Sequence, residues 1–145
     1  MAASQITYRR GNDIPTNVVK MLYEASTLGQ CRPIDDPGTL AAMMQHANLV
    51  VSAWDGDELV GISRTLTDFV YVGYLSDLAV HARCQRRGIG VGLIEHTRAA
   101  MGPKSKLILL AAPAAVDYYP RIGFTHHPQA WILSATDPFP TKTAQ

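Results

Sequence analysis

The chain has 145 residues, of which 47% are hydrophobic and 17% charged, and its 13 Lys and Arg nearly balance 12 Asp and Glu. This composition is typical of one globular domain, and it excludes a disordered or fibrous chain. The net charge of +1 leaves no basic field for nucleic acid or an anionic membrane. The sequence has no apolar run long enough to span a bilayer and no signal-peptide pattern, so a cytoplasmic protein is expected. Cys31 and Cys84 lack metal-ligand spacing, and free thiols are expected.

Strand-like and helix-like runs alternate along the first half of the chain. QITYRR (5–10) predicts a first strand, and apolar residues at helical spacing over 14–26 predict a first helix. Residues 37–47 predict a second helix. The runs ANLVVSAW and ELVGISRTL predict two strands joined by a turn at Asp55-Gly56, and a third strand follows from Val70 to Val80. These three strands are expected to form an antiparallel meander.

The second half predicts a crossover. GIGVGLIEHTRAAM (88–101) reads as a helix, KLILLA as a buried strand, PAAVDYY as a short helix that begins at Pro113, and GFTHHPQAWIL (123–133) as a last strand. The order β-α-α-β-β-β-α-β-α-β predicts an α/β fold, because the connection from Val80 to Lys106 makes those two strands parallel in a mixed sheet with helices on both faces. Residues 1–133 are expected to form a single domain and residues 134–145 a loosely ordered tail.

The stretch QRRGIGVG, Gln85 to Gly92, stands where the long strand gives way to a helix. Unpaired amides and the positive end of the dipole at a helix N-terminus bind phosphate, and glycines let an anion approach the main chain. Here Gly88, Gly90 and Gly92 give that approach, while Arg86 and Arg87 add charge. The Walker and dinucleotide patterns both fail at this position. Glycines that only permit a tight strand-to-helix connection are the alternative interpretation.

Two motifs in this order resemble those of the GNAT N-acetyltransferase superfamily. The signature Gln/Arg-x-x-Gly-x-Gly/Ala is met by Gln85-Arg86-Arg87-Gly88-Ile89-Gly90. The late family pattern is matched by Ala115, Tyr118, Tyr119, Gly123 and Phe124. The resemblance covers roughly Ser4 to Leu133. The sequence departs from the family after the fifth strand, where an asparagine is often found and LLAAPAA stands here, so a side-chain hydrogen bond to pantetheine from that point is not expected.

The resemblance implies a GNAT-like acyl-CoA N-acyltransferase fold with splayed central strands, and acetyl-CoA as co-substrate without a metal. By it, the main chain of Leu78-Ala79-Val80 would pair with the pantetheine arm. A bulge in the fourth strand would splay it from the fifth. The pyrophosphate would be bound by the signature loop and the helix start that follows it, at Gln85, Arg86, Arg87, Gly88, Ile89, Gly90 and Val91.

Acetyl transfer to an amine needs a base for the ammonium and a proton donor for the leaving thiolate. By the family match the donor is Tyr119, and Tyr118 is expected to lie in the core. Strand alternation places Tyr74 and Ser76 on the face that carries Leu78, where they would order a water. Asp77 is the base if a bulge shifts the alternation by one residue, and otherwise a structural carboxylate.

The first hypothesis is therefore an N-acetyltransferase that transfers the acetyl group of acetyl-CoA directly to a primary amine of a small molecule or peptide. The alternatives are a non-catalytic acyl-CoA-binding sensor or partner domain, and a nucleotide-binding regulator. Arg32, Asp35 and Asp36, in the loop between the first two helices, are candidates for binding a charged acceptor. A homodimer through an exposed sheet edge is a further possibility.

Overall fold

The computed structural model describes residues 5–140, which form an α/β fold around a five-stranded mixed sheet. The strands follow one another across the sheet in chain order, and the first four are antiparallel neighbours. The last two are parallel. The strands are β1 (Ile6–Arg10), β2 (Leu49–Asp55), β3 (Glu58–Thr67), β4 (Val72–Val80) and β5 (Lys106–Ile108). This arrangement confirms the predicted meander and the parallel crossover.

Helices lie on both faces of the sheet, as the sequence predicts. They are α1 (Thr16–Ser26), α2 (Pro37–Gln45), α3 (Ile89–Ala100) and the short α4 (Tyr118–Arg121). One cluster of buried side chains, including Leu22, Tyr23 and Leu40, joins α1 and α2 to the sheet. A second cluster, including Val51 and Leu93, joins α3 to the opposite face. Burial of these apolar stripes stabilises the helices where they lie.

Local chemistry fixes the ends of the first two helices. The carboxylate of Asp36 accepts hydrogen bonds from the amide of Thr39 (3.3 Å) and from its hydroxyl (2.8 Å), which caps the start of α2. Helix α1 ends at Ser26, and the next residue, Thr27, has a left-handed φ of 76°. A short 3-10 turn, Leu28–Cys31, follows and carries the chain toward β4. The loop that contains Arg32 is therefore held at both ends.

Strand β4 carries the irregularity that opens the sheet. Arg64 pairs with Asp77 and the next residue of β3, Thr65, pairs with Leu75, so Ser76 is the extra residue of a β-bulge. The parallel pairing with β5 runs only from Val72 to Tyr74. Beyond that point β4 continues to Val80 without a paired residue of β5, and we call this unpaired edge of β4 the gap in the sheet.

The bulge also changes which face each β4 side chain occupies. Asp77 hydrogen-bonds to Tyr23 of α1, and Ala79 packs with the α1 cluster. Leu78 packs with the α3 cluster on the other side. A Cβ at Gly73 would lie 2.6 Å from Met101, which follows α3. The bulge implied by the family resemblance is therefore present, and the simple alternation over this strand is wrong. Gly73 and Asp77, which strict alternation would place on one face, lie on opposite faces because the extra residue at Ser76 resets the period.

The predicted last strand is wrong for the described residues. The segment 123–133 has no strand, and Trp131 is 95% exposed. Pro128 has no amide to give to a ladder, and β5, at three residues, offers little edge to pair with. The ring of His127 instead accepts a hydrogen bond from the amide of Gln129, which turns the chain. A pattern of alternating hydrophobicity does not show whether another strand is available for pairing.

Pro120 is the third residue of α4, within the first turn, where a missing amide costs nothing. Of the predicted tail, residues 134–140 contain no helix or strand, and residues 141–145 lie outside the described part of the chain. Among residues 5–140, no helix has the length and apolar character needed to cross a bilayer.

Candidate functional site

The start of α3 leaves main-chain amides without partners inside the helix. After β4 the chain makes a 3-10 turn, Ala82–Cys84, and enters α3 at Ile89. The amide of Gly92 donates to the carbonyl of Gly88 at 2.9 Å, which closes the first helical turn. The amides of Ile89, Gly90 and Val91 precede that bond, so helix geometry gives them no carbonyl within the helix. They form a set of donors at the positive end of the helix dipole.

The three glycines of this stretch have different surroundings. Gly88 has a left-handed φ of 78°, and no described atom lies within 4 Å of the position that a Cβ would take. A Cβ at Gly90 would lie 2.6 Å from the hydroxyl of Tyr118. A Cβ at Gly92 would collide with the hydroxyl of Tyr8 in β1. The open space lies at Gly88, whereas Gly92 allows α3 to pack on β1, so the expectation that Gly92 receives an anion is wrong.

The loop before α3 contains two residues with a left-handed backbone. Arg86 has a left-handed φ of 66°, two residues before the left-handed Gly88. Successive amides around left-handed residues form concave anion-binding turns. The side chain of Gln85 donates to the carbonyl of Val80 at 3.5 Å, which ties the loop to the end of β4. A guanidinium nitrogen of Arg87 lies 3.8 Å from the sulfur of the buried Cys84.

Tyr119 lies in α4, next to Tyr118, whose hydroxyl is close to Gly90 at the start of α3. The rings of Tyr118 and Tyr119 meet edge to face at 5.3 Å, and Phe124 contacts Tyr119 in the same way at 5.3 Å. Burial raises the pKa of Tyr119 to about 12, with a smaller lowering by the charge of Arg32. The phenol is therefore protonated at neutral pH. Tyr118, expected in the core, is half-buried with its hydroxyl against Gly90.

Asp77 is the centre of a buried polar cluster that we call the Asp77 cluster. Its two carboxylate oxygens accept from the Nε of Arg32 (2.5 Å), the Nε of Arg64 (2.5 Å) and the hydroxyl of Tyr23 (2.7 Å). Burial acts to raise the pKa of Asp77, but the hydrogen bonds and charge of Arg64, together with Tyr23 and Arg32, outweigh it and leave the pKa below its ordinary value. Burial and the Asp77 charge raise the pKa of Tyr23.

The same arginines hold the bulge at Ser76. The Nη2 of Arg32 donates to the carbonyl of Ser76 at 2.7 Å. The Nη2 of Arg64 donates to the hydroxyl of Ser76 at 2.8 Å. The structure thus brings the predicted residues Ser76 and Asp77 together with Arg32. The electrostatic effect of Arg32 on Tyr119 connects this cluster to the predicted proton donor.

Two members of the cluster, Arg64 and Tyr23, were missed by the sequence analysis. Arg64 stands in the otherwise apolar run ELVGISRTL, and it is buried. A charged residue in a buried strand needs a charged partner, which is a signal that could have been used. Tyr23 falls in the apolar stripe of α1 and carries no such signal. Of the loop acids, Asp36 caps α2 and Asp35 lies exposed.

Potential metal ligands are not clustered in this part of the molecule. Within residues 5–140, no three His, Cys, Asp or Glu side chains are close enough to hold a metal ion together. The groups available for chemistry are therefore the amides at α3, the phenol of Tyr119, the hydroxyl of Ser76 and the two guanidinium groups of the Asp77 cluster.

Comparison with solved structures gives the fold a clear set of relatives. A GNAT-family acetyltransferase from Streptococcus pneumoniae is 24% identical, with a TM-score of 0.68 over 89% of this chain and 98% of that one. An aminoglycoside acetyltransferase from an uncultured soil metagenomic sample, in complex with sisomicin, is 23% identical, with a TM-score of 0.66 over 90% and 95%. An aminoglycoside N-acetyltransferase in complex with CoA is 14% identical, with a TM-score of 0.71 over 93% and 97%.

Comparison with curated proteins gave no match. A family model does match: the acetyltransferase (GNAT) domain aligns with residues 33–131, more than half of the chain. The match includes both motifs noted in the sequence, the glycine-rich entry to α3 and the late tyrosine pair. This chain belongs to the GNAT acetyltransferase family.

Proposed function

We propose that this protein is an acetyl-CoA-dependent N-acetyltransferase that transfers the acetyl group directly to a primary amine of a small molecule or peptide. The observation that carries the proposal is a continuous set of contacts. The amides at the start of α3 adjoin Tyr118 through Gly90, and Tyr118 adjoins Tyr119. These contacts support a site in which the helix start would bind phosphate and the half-buried Tyr119 would donate a proton.

The residues of the loop fit a diphosphate group. The amides of Ile89, Gly90 and Val91, with those of Arg86, Arg87 and Gly88, would bind its oxygens, because the space over Gly88 is open. Each hydrogen bond from an amide to a charged group contributes about 1.5–3 kcal/mol, whereas the helix dipole contributes about 0.3–1 kcal/mol to the binding of a charge. The amides are therefore the larger contribution. The main chain of Leu78, Ala79 and Val80 would pair with the pantetheine arm, since the β5 ladder ends at Tyr74.

Acetyl-CoA supplies the thioester whose acetyl group is transferred and whose thiolate leaves. Tyr119, with a pKa raised to about 12, keeps its proton at neutral pH and would donate a hydrogen bond to the leaving sulfur. Ser76, whose hydroxyl and carbonyl are fixed by the two arginines, would order a water through which the acceptor ammonium loses its proton to bulk solvent before the amine attacks.

Asp77 as the base stays a prediction that its surroundings disfavour. Both oxygens already accept strong hydrogen bonds, the side chain has no exposed area, and its pKa is lowered. A carboxylate with a lowered pKa is a weaker base, and one without exposure does not reach an acceptor. These surroundings favour a positioning role for Asp77, in which its carboxylate holds Arg32, Arg64 and the bulge in place.

Turnover with thiol detection tests the proposal. The purified chain is incubated with acetyl-CoA and a panel of primary amines, alongside Tyr119→Phe and a matched exposed control, Tyr71→Phe. Release of CoA that depends on an amine and falls in Tyr119→Phe alone would support an acetyltransferase. Tight CoA binding without turnover on any amine would favour the sensor or partner domain. Equal protection against heating by ADP and by CoA would favour the nucleotide-binding regulator.

A further inference from the structure

The Asp77 cluster carries one uncompensated positive charge. Its carboxylate faces two guanidinium groups, and both remain protonated, since arginine keeps its proton in proteins. For Arg64, burial acts to lower the pKa but the hydrogen bond and charge of Asp77 outweigh it, so its pKa is raised. One carboxylate and two cations leave a net charge of +1 within the cluster.

The positive charge is the part of the cluster that a ligand can reach. The side chain of Asp77 is 0% exposed and that of Arg64 is 9% exposed, whereas that of Arg32 is 22% exposed. The negative partner is thus hidden behind the cations. Of the three charged side chains, a molecule that approaches the cluster from solvent therefore meets Arg32 first.

Arg32 is bound to the bulge at Ser76, and its charge acts on the proposed proton donor. Its Nη2 donates to the carbonyl of Ser76, and its charge lowers the pKa of Tyr119 against the larger effect of burial. Its Nε and Nη1 donate to Asp77 and to the carbonyl of Cys31. A guanidinium has five N–H donors, so these three bonds fix the group and leave two donors, one on each Nη, for another acceptor.

We propose that Arg32 selects acceptor amines that also carry an anionic group, a carboxylate or a phosphate close to the amine. This inference rests on the proposed acetyltransferase function and names the acceptor class. A guanidinium fixed in advance binds an anion without losing side-chain freedom. The same charge repels polycations. Aminoglycosides, which carry several ammonium groups and name two of the structural relatives, are therefore poor acceptors for this chain.

Matched acceptors test the assignment. An α-amino acid is compared with its carboxamide, which has the same amine without the anion, and with an aminoglycoside. We expect kcat/KM for the amino acid to exceed that for the carboxamide about tenfold or more, since one hydrogen bond to a charged group is worth at least that factor. Arg32→Gln should remove this preference, mainly by raising KM for the amino acid. Arg32→Lys, which keeps a positive charge, should show more of the preference than Arg32→Gln does. Arg98→Gln, the same change at an exposed arginine in the last turn of α3, should retain the full preference.

A second readout does not depend on turnover. In the presence of CoA, the amino acid should protect the wild-type chain against heating more than its carboxamide does, and Arg32→Gln should lose the difference while it binds CoA normally. Equal use of all acceptors, preference for the aminoglycoside, or equal heat protection would overturn the role of Arg32. Absence of turnover together with selective protection would leave the role of Arg32 supported and count against the proposed acetyl transfer instead.

Discussion

Asp77 and Arg64 face each other across strands β4 and β3, one residue from the bulge, with the Nε of Arg64 2.5 Å from a carboxylate oxygen of Asp77. The pair fixes the backbone irregularity, because Arg64 also donates to the hydroxyl of Ser76 and Arg32 donates to its carbonyl. A buried charge pair thus coincides with the point at which the sheet opens. Its loss should affect both the stability of the fold and the geometry of the gap.

Asp77→Asn should destabilise the chain strongly. Removal of one partner from a buried ion pair costs about 3–5 kcal/mol, because the remaining charges stay buried without compensation. We expect a fall of about 3 kcal/mol in the free energy of unfolding, measured by urea denaturation. Asp35→Asn, in an exposed loop position, should change it by less than about 0.5 kcal/mol. A loss below about 1 kcal/mol for Asp77→Asn would mean that the cluster does not hold the fold.

The lowered pKa of Asp77 predicts a loss of stability in acid. The folded pKa lies below that of the unfolded chain, near 3.9, so the stabilisation is complete above that value and is lost as the pH falls through the folded pKa. Asp36 and Asp68, whose pKa values are also lowered by hydrogen bonds, contribute to the same decline. Unfolding free energies measured between pH 6 and pH 3 should fall less steeply in Asp77→Asn. Parallel curves would contradict the assignment.

Tyr119→Phe should lower kcat and leave CoA affinity unchanged. Loss of a positioned proton donor costs about 10²–10⁴-fold in rate, whereas the phenyl ring retains the contacts with Tyr118 and Phe124. Because the pKa of Tyr119 is about 12, the wild-type rate should show no alkaline decline from this group up to about pH 10. Steady-state kinetics and a CoA titration separate the two parameters. An unchanged kcat would remove Tyr119 from the reaction.

The sequence predicted the antiparallel meander of β2, β3 and β4, the parallel crossover to β5 and the main helices, because hydrophobic periodicity and turn residues act locally. The runs around Asp55-Gly56, for instance, form the β2–β3 hairpin where the glycine φ of 62° was expected. The glycine-rich entry to α3 was likewise visible as a motif. Such features depend on neighbours in the chain, so a single sequence contains them.

Features that depend on distant residues were not predictable in the same way. The bulge is hydrogen-bonded by two arginines from other elements, and alternation alone cannot place it. Gly92 resembles an anion-binding glycine in the sequence, yet Tyr8 of β1 determines its role. The prediction of a final strand was wrong, because a strand must pair with the edge of a sheet and β5, at three residues, is too short to provide that edge. The predicted roles of Ser76, Asp77 and Tyr119, and the predicted homodimer, stay predictions.

Calorimetric titration of CoA into wild type and Gly88→Val tests the central claim, that main-chain amides at the start of α3 hold the diphosphate. We expect Gly88→Val to weaken binding at least tenfold, about 1.4 kcal/mol, because a side chain would occupy the open approach to the amides. Gly56→Val is the matched control: it has the same left-handed strain, at the β2–β3 turn, and should bind CoA normally. Arg87→Ala should lose less than Gly88→Val does. Near-normal CoA affinity in Gly88→Val, or an equal loss in Gly56→Val, would contradict the account.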